Sequence, residues 1–251
     1  MTKIILCGAN GRMGKFITDA VSKRDDAQIV AGVDLVTESS AGFPVYSAIG
    51  DVKETADVVV DFSHPALLDS ILDYVKTKGV PAVLATTGYS AEATAKIRKA
   101  AETAPIFFTF NMSLGVNLLV SLAKKAASVL GDAFDVEIVE KHHNQKLDAP
   151  SGTAVMLADA LNEVYGGDMA YEFDRHSKRE KRPAKEIGIH SIRGGNIVGE
   201  HDVIFAGHDE VITLSHHASS REVFALGAVK AALFMKGKPA GLYNMNDMIA
   251  L

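Results

Sequence analysis

The 251-residue chain is 47% hydrophobic and 23% charged, with a formal net charge of −5. That balance suits a soluble globular protein long enough for two modest domains, and its acid excess argues against bulk binding of nucleic acid or anionic membrane. Cys7 is the one cysteine, which excludes an intrachain disulfide and a cysteine-cluster zinc site.

Through the first 110 residues, apolar runs of strand length alternate with helical spacing. Strands are predicted over 4–7, 28–33, 58–62, 82–86 and 106–108, where β-branched and aromatic residues concentrate. Helices are predicted over 12–22, 65–77 and 91–103, with Pro65 suited to a first turn after Ser63 and His64. Such alternation predicts a doubly wound α/β domain: a parallel sheet with helices on both faces. A helix over 115–130 leads out of it.

From Asp135 the rhythm changes. A strand over 136–139 and a helix over 153–164 are followed by strands over 186–193, 197–205 and 210–217 with no helix between them. This predicts a second, α+β domain with a mixed or antiparallel sheet. A helix over 220–235 ends at Lys236-Gly237-Lys238-Pro239 and is read as returning to the first domain. The expected division is 1–113 plus 221–251, and 114–220. The basic run 175–182 reads as a solvated loop. No apolar stretch is expected to reach the roughly 18–20 residues of a membrane helix. The amino terminus enters a strand without a signal-peptide layout, so a cytoplasmic address is expected.

Gly8-Ala9-Asn10-Gly11-Arg12-Met13-Gly14 follows the first strand and opens the first helix. Glycines there permit a tight turn, let backbone amides approach a pyrophosphate, and allow close helix–strand packing. Alone, this could be a turn cluster. Asp34 closes strand two, about 20 residues further on, where an acid binds the adenosine ribose hydroxyls. The complete order of strand, turn, helix, strand and acid points to a dinucleotide. A carboxylate repels a 2′-phosphate and Leu35 supplies no cation, although Arg12 could approach one. NADH is therefore expected to serve at least as well as NADPH.

The densest chemistry lies in 137–154, EIVEKHHNQKLDAPSGTA. His142, His143, Lys146, Ser151 and Thr153 are proton donors or anion ligands at neutral pH. Pro150 ends a loop, after which Ser151, Gly152 and Thr153 open a helix whose first amides and dipole favour an anion. With Lys146 they would make a charge-assisted clamp for a carboxylate. Singly, each feature has an ordinary reading: an exposed histidine pair, a solvated lysine, a capping serine. Asp148 reads as a turn residue, and Glu137 and Glu140 as polar faces of the strand.

The turn Gly8–Gly14 and the run Glu140–Ala154 (EKHHNQKLDAPSGTA) resemble the 4-hydroxy-tetrahydrodipicolinate reductase family, also called dihydrodipicolinate reductase. Ala85-Thr86-Thr87-Gly88, Arg193-Gly194-Gly195, Gly199-Glu200-His201 and the tail Gly241–Met245 extend the resemblance over nearly the whole chain. It implies an NADH- or NADPH-dependent oxidoreductase of diaminopimelate and lysine biosynthesis acting on a small dicarboxylate. Hydride would pass to C4 of a cyclic imine after loss of water. His142 would donate the proton, Lys146 would act as second acid or stabilising charge, and His143, Ser151, Gly152 and Thr153 would contact the substrate. Ala85, Thr86 and Thr87, with Thr109, Phe110, Asn111 and Met112, would meet the nicotinamide. Ala85 departs from the glycine more usual in the family, and Phe110 could equally be core. The first domain would bind the dinucleotide, and the second the substrate while building a homotetramer.

Because cofactor and acid would come from different domains, a hinge closing over substrate is expected. His190, His201, His208, His216 and His217 fall on or near predicted strands, but no pair has zinc-site spacing, so no metal is expected. Two rivals stand beside this reading. Another small-substrate dehydrogenase, such as one acting on an amino acid, would not need the adjacent histidines with Lys146. A nucleotide-sensing binding protein would not need a proton donor.

Overall fold

The structure is a computed structural model and describes residues 1–38 and 42–249. In chain order the strands and helices of the first half are β1 (Thr2–Cys7), α1 (Arg12–Ser22), β2 (Ala27–Val33), β3 (Val45–Tyr46), β4 (Val58–Asp61), α2 (Leu68–Lys78), β5 (Ala82–Leu84), α3 (Ala91–Ala101) and β6 (Pro105–Phe108). The second half holds α4 (Leu114–Leu130), β7 (Asp135–His142), α5 (Gly152–Val164), β8 (Ala170–Glu172), β9 (Glu186–Arg193), β10 (Gly199–Ala206) and β11 (Val211–Ala218). It closes with α6 (Glu222–Met235), β12 (Gly241–Tyr243) and α7 (Met245–Met248). Two compact units result: Met1–Leu114 with Glu222–Leu251, and Gly115–Arg221.

The first unit is a seven-stranded parallel sheet in the order β12-β6-β5-β4-β1-β2-β3. Its strands are apolar on both faces because helices cover both. On one face Ile4, Leu6, Val58, Val60 and Phe107 pack with Ile17 of α1 and Ala228, Val229 and Ala232 of α6. On the other, Ile5, Val59, Leu84 and Ile106 meet Ile71 and Val75 of α2 and Ile97 of α3. The order reverses beside β1, since the chain leaves β1 for β2 on one side and reaches β4 on the other. In such sheets ligands bind at that switch, beyond the carboxyl ends of the strands.

The second unit is a five-stranded mixed sheet, β11-β10-β7-β9-β8. β10 runs antiparallel to β7 and β11, while β9 is parallel to β7 and β8. Val136, Ile138, Ile187, Ile189, Val203 and Phe205 project from one face onto Leu119 and Ala123 of α4 and Leu157 and Leu161 of α5. The helical stretch Leu114–Ala133 is 20 residues long with mean hydropathy 1.3, so by length and composition it does reach a membrane span, contrary to expectation. Its buried stripe of Leu119, Ala123 and Ala127 lies in this core instead.

The two-residue β3 and the three-residue β8 and β12 were not predicted: runs this short carry no readable period. β7 extends three residues past its predicted end and includes His142. The basic run 175–182 is a mostly exposed loop, as expected, with Arg175 and Arg182 half-buried. Arg182 bonds Asp135, Glu137 and the carbonyls of Val136 and Glu186, and Arg175 lies 2.5 Å from Glu186.

Candidate active site

In the first unit, the β1–α1 turn places Gly8 at φ +80°, where a side chain would be strained and a Cβ would lie 2.5 Å from the Phe62 carbonyl oxygen. A Cβ on Gly14 would lie 2.2 Å from the Gly8 carbonyl, so glycine is what lets α1 start against the turn. Ala9 is buried, Gly11 caps α1 through extended backbone, and Arg12 is exposed at the start of the helix. Asp34 closes the same corner: its carboxylate accepts from the Asn10 amide at 2.9 Å, and the Asn10 side chain donates to Val36 O at 2.6 Å. This cradle, with amides at a helix N-terminus and an acid beside it, fits the diphosphate and ribose of a dinucleotide.

A cleft of about 340 Å³ opens at the ends of β4, β5 and β6, lined by Met13, Ala85, Thr86, Thr87, Thr109, Phe110, Asn111 and Met112 together with Phe62, Ser63 and Phe224. Every residue expected at the nicotinamide end therefore lies in one place. Phe110 is 72% exposed, its ring edge-on to Phe108 at 5.2 Å, which removes the core reading. Below the cleft floor sits Asp61, fully buried at the end of β4. Its carboxylate accepts from the hydroxyls of Ser63 at 2.5 Å, Thr86 at 2.7 Å and Tyr89 at 3.1 Å. Burial pushes its carboxyl up, against the pull of those three donors. Sequence reading passed over Asp61, although an acid closing an apolar strand was a usable signal.

In the second unit, the period of two along β7 turns Val136, Ile138, Glu140 and His142 to the helix-covered side. Glu140 is thus buried rather than on a polar face, as the sequence had suggested. Its carboxylate lies 2.6 Å from His142 Nδ1, accepts two bonds from Arg193 at 2.7 and 2.8 Å, and accepts the Ser151 amide at 3.1 Å. Burial alone would raise its pKa, but Arg193 and His142 hold it near 2. His142 is lowered from its ordinary value, first by burial, with Lys146 and Arg193 adding to the effect and Glu140 opposing it.

Next to this pair, Ser151 caps α5. Its Oγ accepts from the Ala154 amide at 3.2 Å and lies 3.0 Å from His201 Nε2. Its polar atoms are thereby engaged within the scaffold. Gly152 is exposed, with nothing within 4 Å of where a Cβ would stand, and Thr153 is half-buried behind it. Lys146 Nζ lies 2.8 Å from the Asp148 carboxylate, and His143 is half-buried at the end of the strand. His201 is buried edge-on to His142 at 5.2 Å and drops to a pKa of about 4, chiefly through burial. Among the described residues, no three His, Cys, Asp or Glu side chains are grouped to hold a metal ion.

The dihydrodipicolinate reductase N-terminus model matches residues 2–112, and the C-terminus model of the same enzyme matches 115–249. The chain belongs to the dihydrodipicolinate reductase family. It is 51% identical over 249 residues to the 4-hydroxy-tetrahydrodipicolinate reductase of Caldanaerobacter subterraneus subsp. tengcongensis, covering 99% of this chain and 98% of that protein. The Clostridium tetani reductase of the same name is 50% identical, covering 99% and 97%. Among solved structures, the dipicolinate-bound dihydrodipicolinate reductase of Paenisporosarcina sp. TG-14 superposes with a TM-score of 0.82 at 25% identity, over 99% of both chains. An amine dehydrogenase from Mycobacterium smegmatis shares the fold alone, at TM-score 0.65 and 12% identity over 98% of this chain and 95% of that one.

Within this family's fold, Glu140, Arg193 and His201 are the polar residues whose partnerships sequence reading missed. Continuing the strand alternation by three residues would have put Glu140 beside His142. Arg193 and His201 lie 53 and 61 residues beyond Glu140 along the chain, and only strand pairing brings them there.

Proposed function

We infer that this chain reduces 4-hydroxy-tetrahydrodipicolinate, after loss of water, to tetrahydrodipicolinate with NADH or NADPH, in diaminopimelate and lysine biosynthesis. The observation that carries this reading is the pairing of a buried Glu140–His142 couple with a helix N-terminus and Lys146 in one corner of the second unit. A proton donor set beside an anion clamp is what reduction of an unsaturated cyclic dicarboxylate requires.

In this reading Gly8–Met13 and Asp34 hold the dinucleotide, with Ala85–Thr87 and Thr109–Met112 about its nicotinamide. Bound there, the reduced nicotinamide supplies the hydride. The α5 N-terminus at Gly152 and Thr153 receives one substrate carboxylate, Lys146 adds charge, and His143 makes a further contact. Ser151 contributes by fixing the helix end. His142 in its imidazolium form gives its proton to the electron-rich ring, a step worth about 10²–10⁴-fold. Asp34 disfavours a 2′-phosphate, so NADH is used at least as well as NADPH.

Further parts of the reading concern assembly and location. The sheet face of the second unit opposite α5 carries Lys141 within 3.1 Å of Glu200 and 3.3 Å of Asp202, with His217 beside Glu200. A polar, half-exposed sheet face of this kind suits association of copies, and a homotetramer is the assembly expected. A cytoplasmic location accords with a buried free Cys7. The test is a coupled assay. Purified protein receives aspartate semialdehyde, pyruvate and the preceding synthase, and the loss of NADH or NADPH absorbance is followed. Oxidation dependent on both substrates is expected; its absence with both nucleotides would refute the reading.

A further inference from the structure

We propose that Glu140 is a positioning residue that keeps the His142 proton on Nδ1 and presents Nε2 as the atom that protonates substrate, in a space that Gly199 keeps free. This rests on the reductase reading above. The geometry is specific. Glu140 and His142 lie two residues apart on one face of β7, with Glu140 Oε2 2.6 Å from Nδ1. An ionised carboxylate only accepts, so this contact places a proton on Nδ1. Arg193 from β9, the Ser191 side chain and the Ser151 amide engage the rest of the carboxylate and hold it in this orientation.

The other ring nitrogen faces β10. A Cβ built on Gly199 would stand 3.1 Å from His142 Nε2, closer than side-chain carbons ordinarily approach. Gly199 does not have the positive φ that would itself favour glycine. Room beside Nε2 is the remaining reason for a glycine there, and a carbon that is to receive a proton needs that room. In the step itself the Nε2–H bond of the imidazolium breaks as the enamine electron pair forms a C–H bond. A neutral imidazole is left, its one proton on Nδ1 and still donated to Glu140. The same carboxylate holds the Ser151 amide, so one group sets both the acid and the end of the anion-binding helix. The charged and titratable groups around His142 are Glu140, Lys146, Arg193 and His201; of these, Glu140 alone favours the imidazolium.

The decisive measurement is two-bond proton–nitrogen correlation NMR on histidine-labelled wild-type protein at neutral pH, with His142 assigned by its loss in His142→Gln. The neutral ring is expected as the Nδ1–H form; an Nε2–H form would overturn the proposal. Glu140→Gln is expected to lower turnover about 10²-fold with the nucleotide KM unchanged. It should also shift the alkaline limb of the kcat–pH profile to lower pH, and an unshifted limb would count against the role. Since that variant leaves Arg193 without its carboxylate and could fail to fold, Gly199→Ala provides an independent arm. Its Cβ would oblige the His142 ring to yield by a few tenths of an ångström, and turnover should fall about 10²-fold in a protein that calorimetry shows to be folded; normal turnover would overturn the role given to Gly199. Wild-type protein that shows the Nδ1–H form but no reductase activity would refute the reductase reading instead.

Discussion

The Thr86 hydroxyl donates to the Asp61 carboxylate at 2.7 Å, tying the loop after β5 to the end of β4 through two buried side chains. Three hydroxyls and the Ser63 amide converge on this one acid. Asp61→Asn would turn an amide NH2 toward groups that are themselves donating, and a buried unsatisfied donor costs about 1–3 kcal/mol. The expected result is a melting midpoint lower by several degrees and a weakened nucleotide complex, read by calorimetry and by titration with NADH. An unchanged midpoint would mean that the hydroxyls simply reorient.

His142→Gln should lower kcat by about 10²–10⁴-fold, because glutamine cannot release a proton at neutral pH. Steady-state kinetics should show the nucleotide KM within a few-fold of wild type. Lys146→Ala should reduce kcat and raise the substrate KM together, since in the proposed mechanism the same ammonium serves charge stabilisation and binding. Full activity in either variant removes that residue from the mechanism.

At Asp34 the prediction concerns choice of nucleotide. If Asp34 holds the ribose as proposed, Asp34→Ala takes away a ribose ligand and also the repulsion of a 2′-phosphate. NADH affinity should fall while NADPH is affected less, so the NADH/NADPH ratio of kcat/KM should drop. A ratio that stays constant or rises would place the adenosine ribose elsewhere.

Acid should destabilise the second unit before it touches the first. His201 has an ordinary pKa of 6.5 and a folded value of about 4, lowered mainly by burial. The unfolded chain therefore binds the proton first. Stability conferred by the neutral ring is complete above 6.5 and is lost as pH falls toward 4. Glu140, held near 2 against an ordinary 4.5, extends the loss to still lower pH with the same sign. Calorimetric midpoints should decline between pH 6.5 and 4, and His201→Gln should flatten that decline. A midpoint that rises on acidification, or an identical slope in the variant, would contradict the assignment.

The sequence by itself determined the order of elements wherever one period ran long enough to read. α1 falls at Arg12–Ser22 and β9 at Glu186–Arg193, as predicted, because apolar spacing over eight or more residues admits one regular structure. The turn at Gly8 was legible because local backbone geometry fixes it, and Asp34 because it closes the next strand, although its bond to the Asn10 amide, 24 residues away, is tertiary. His142, Lys146 and Thr153 were legible because they crowd one strand-to-helix passage. What only the tertiary structure decided is who touches whom. That Glu140 is a buried partner of His142, that Arg193 and His201 reach it from other strands, and that Thr86 answers to Asp61 depend on sheet register and burial. Electrostatic coupling falls with distance in space, and chain separation carries no record of that distance until strands pair.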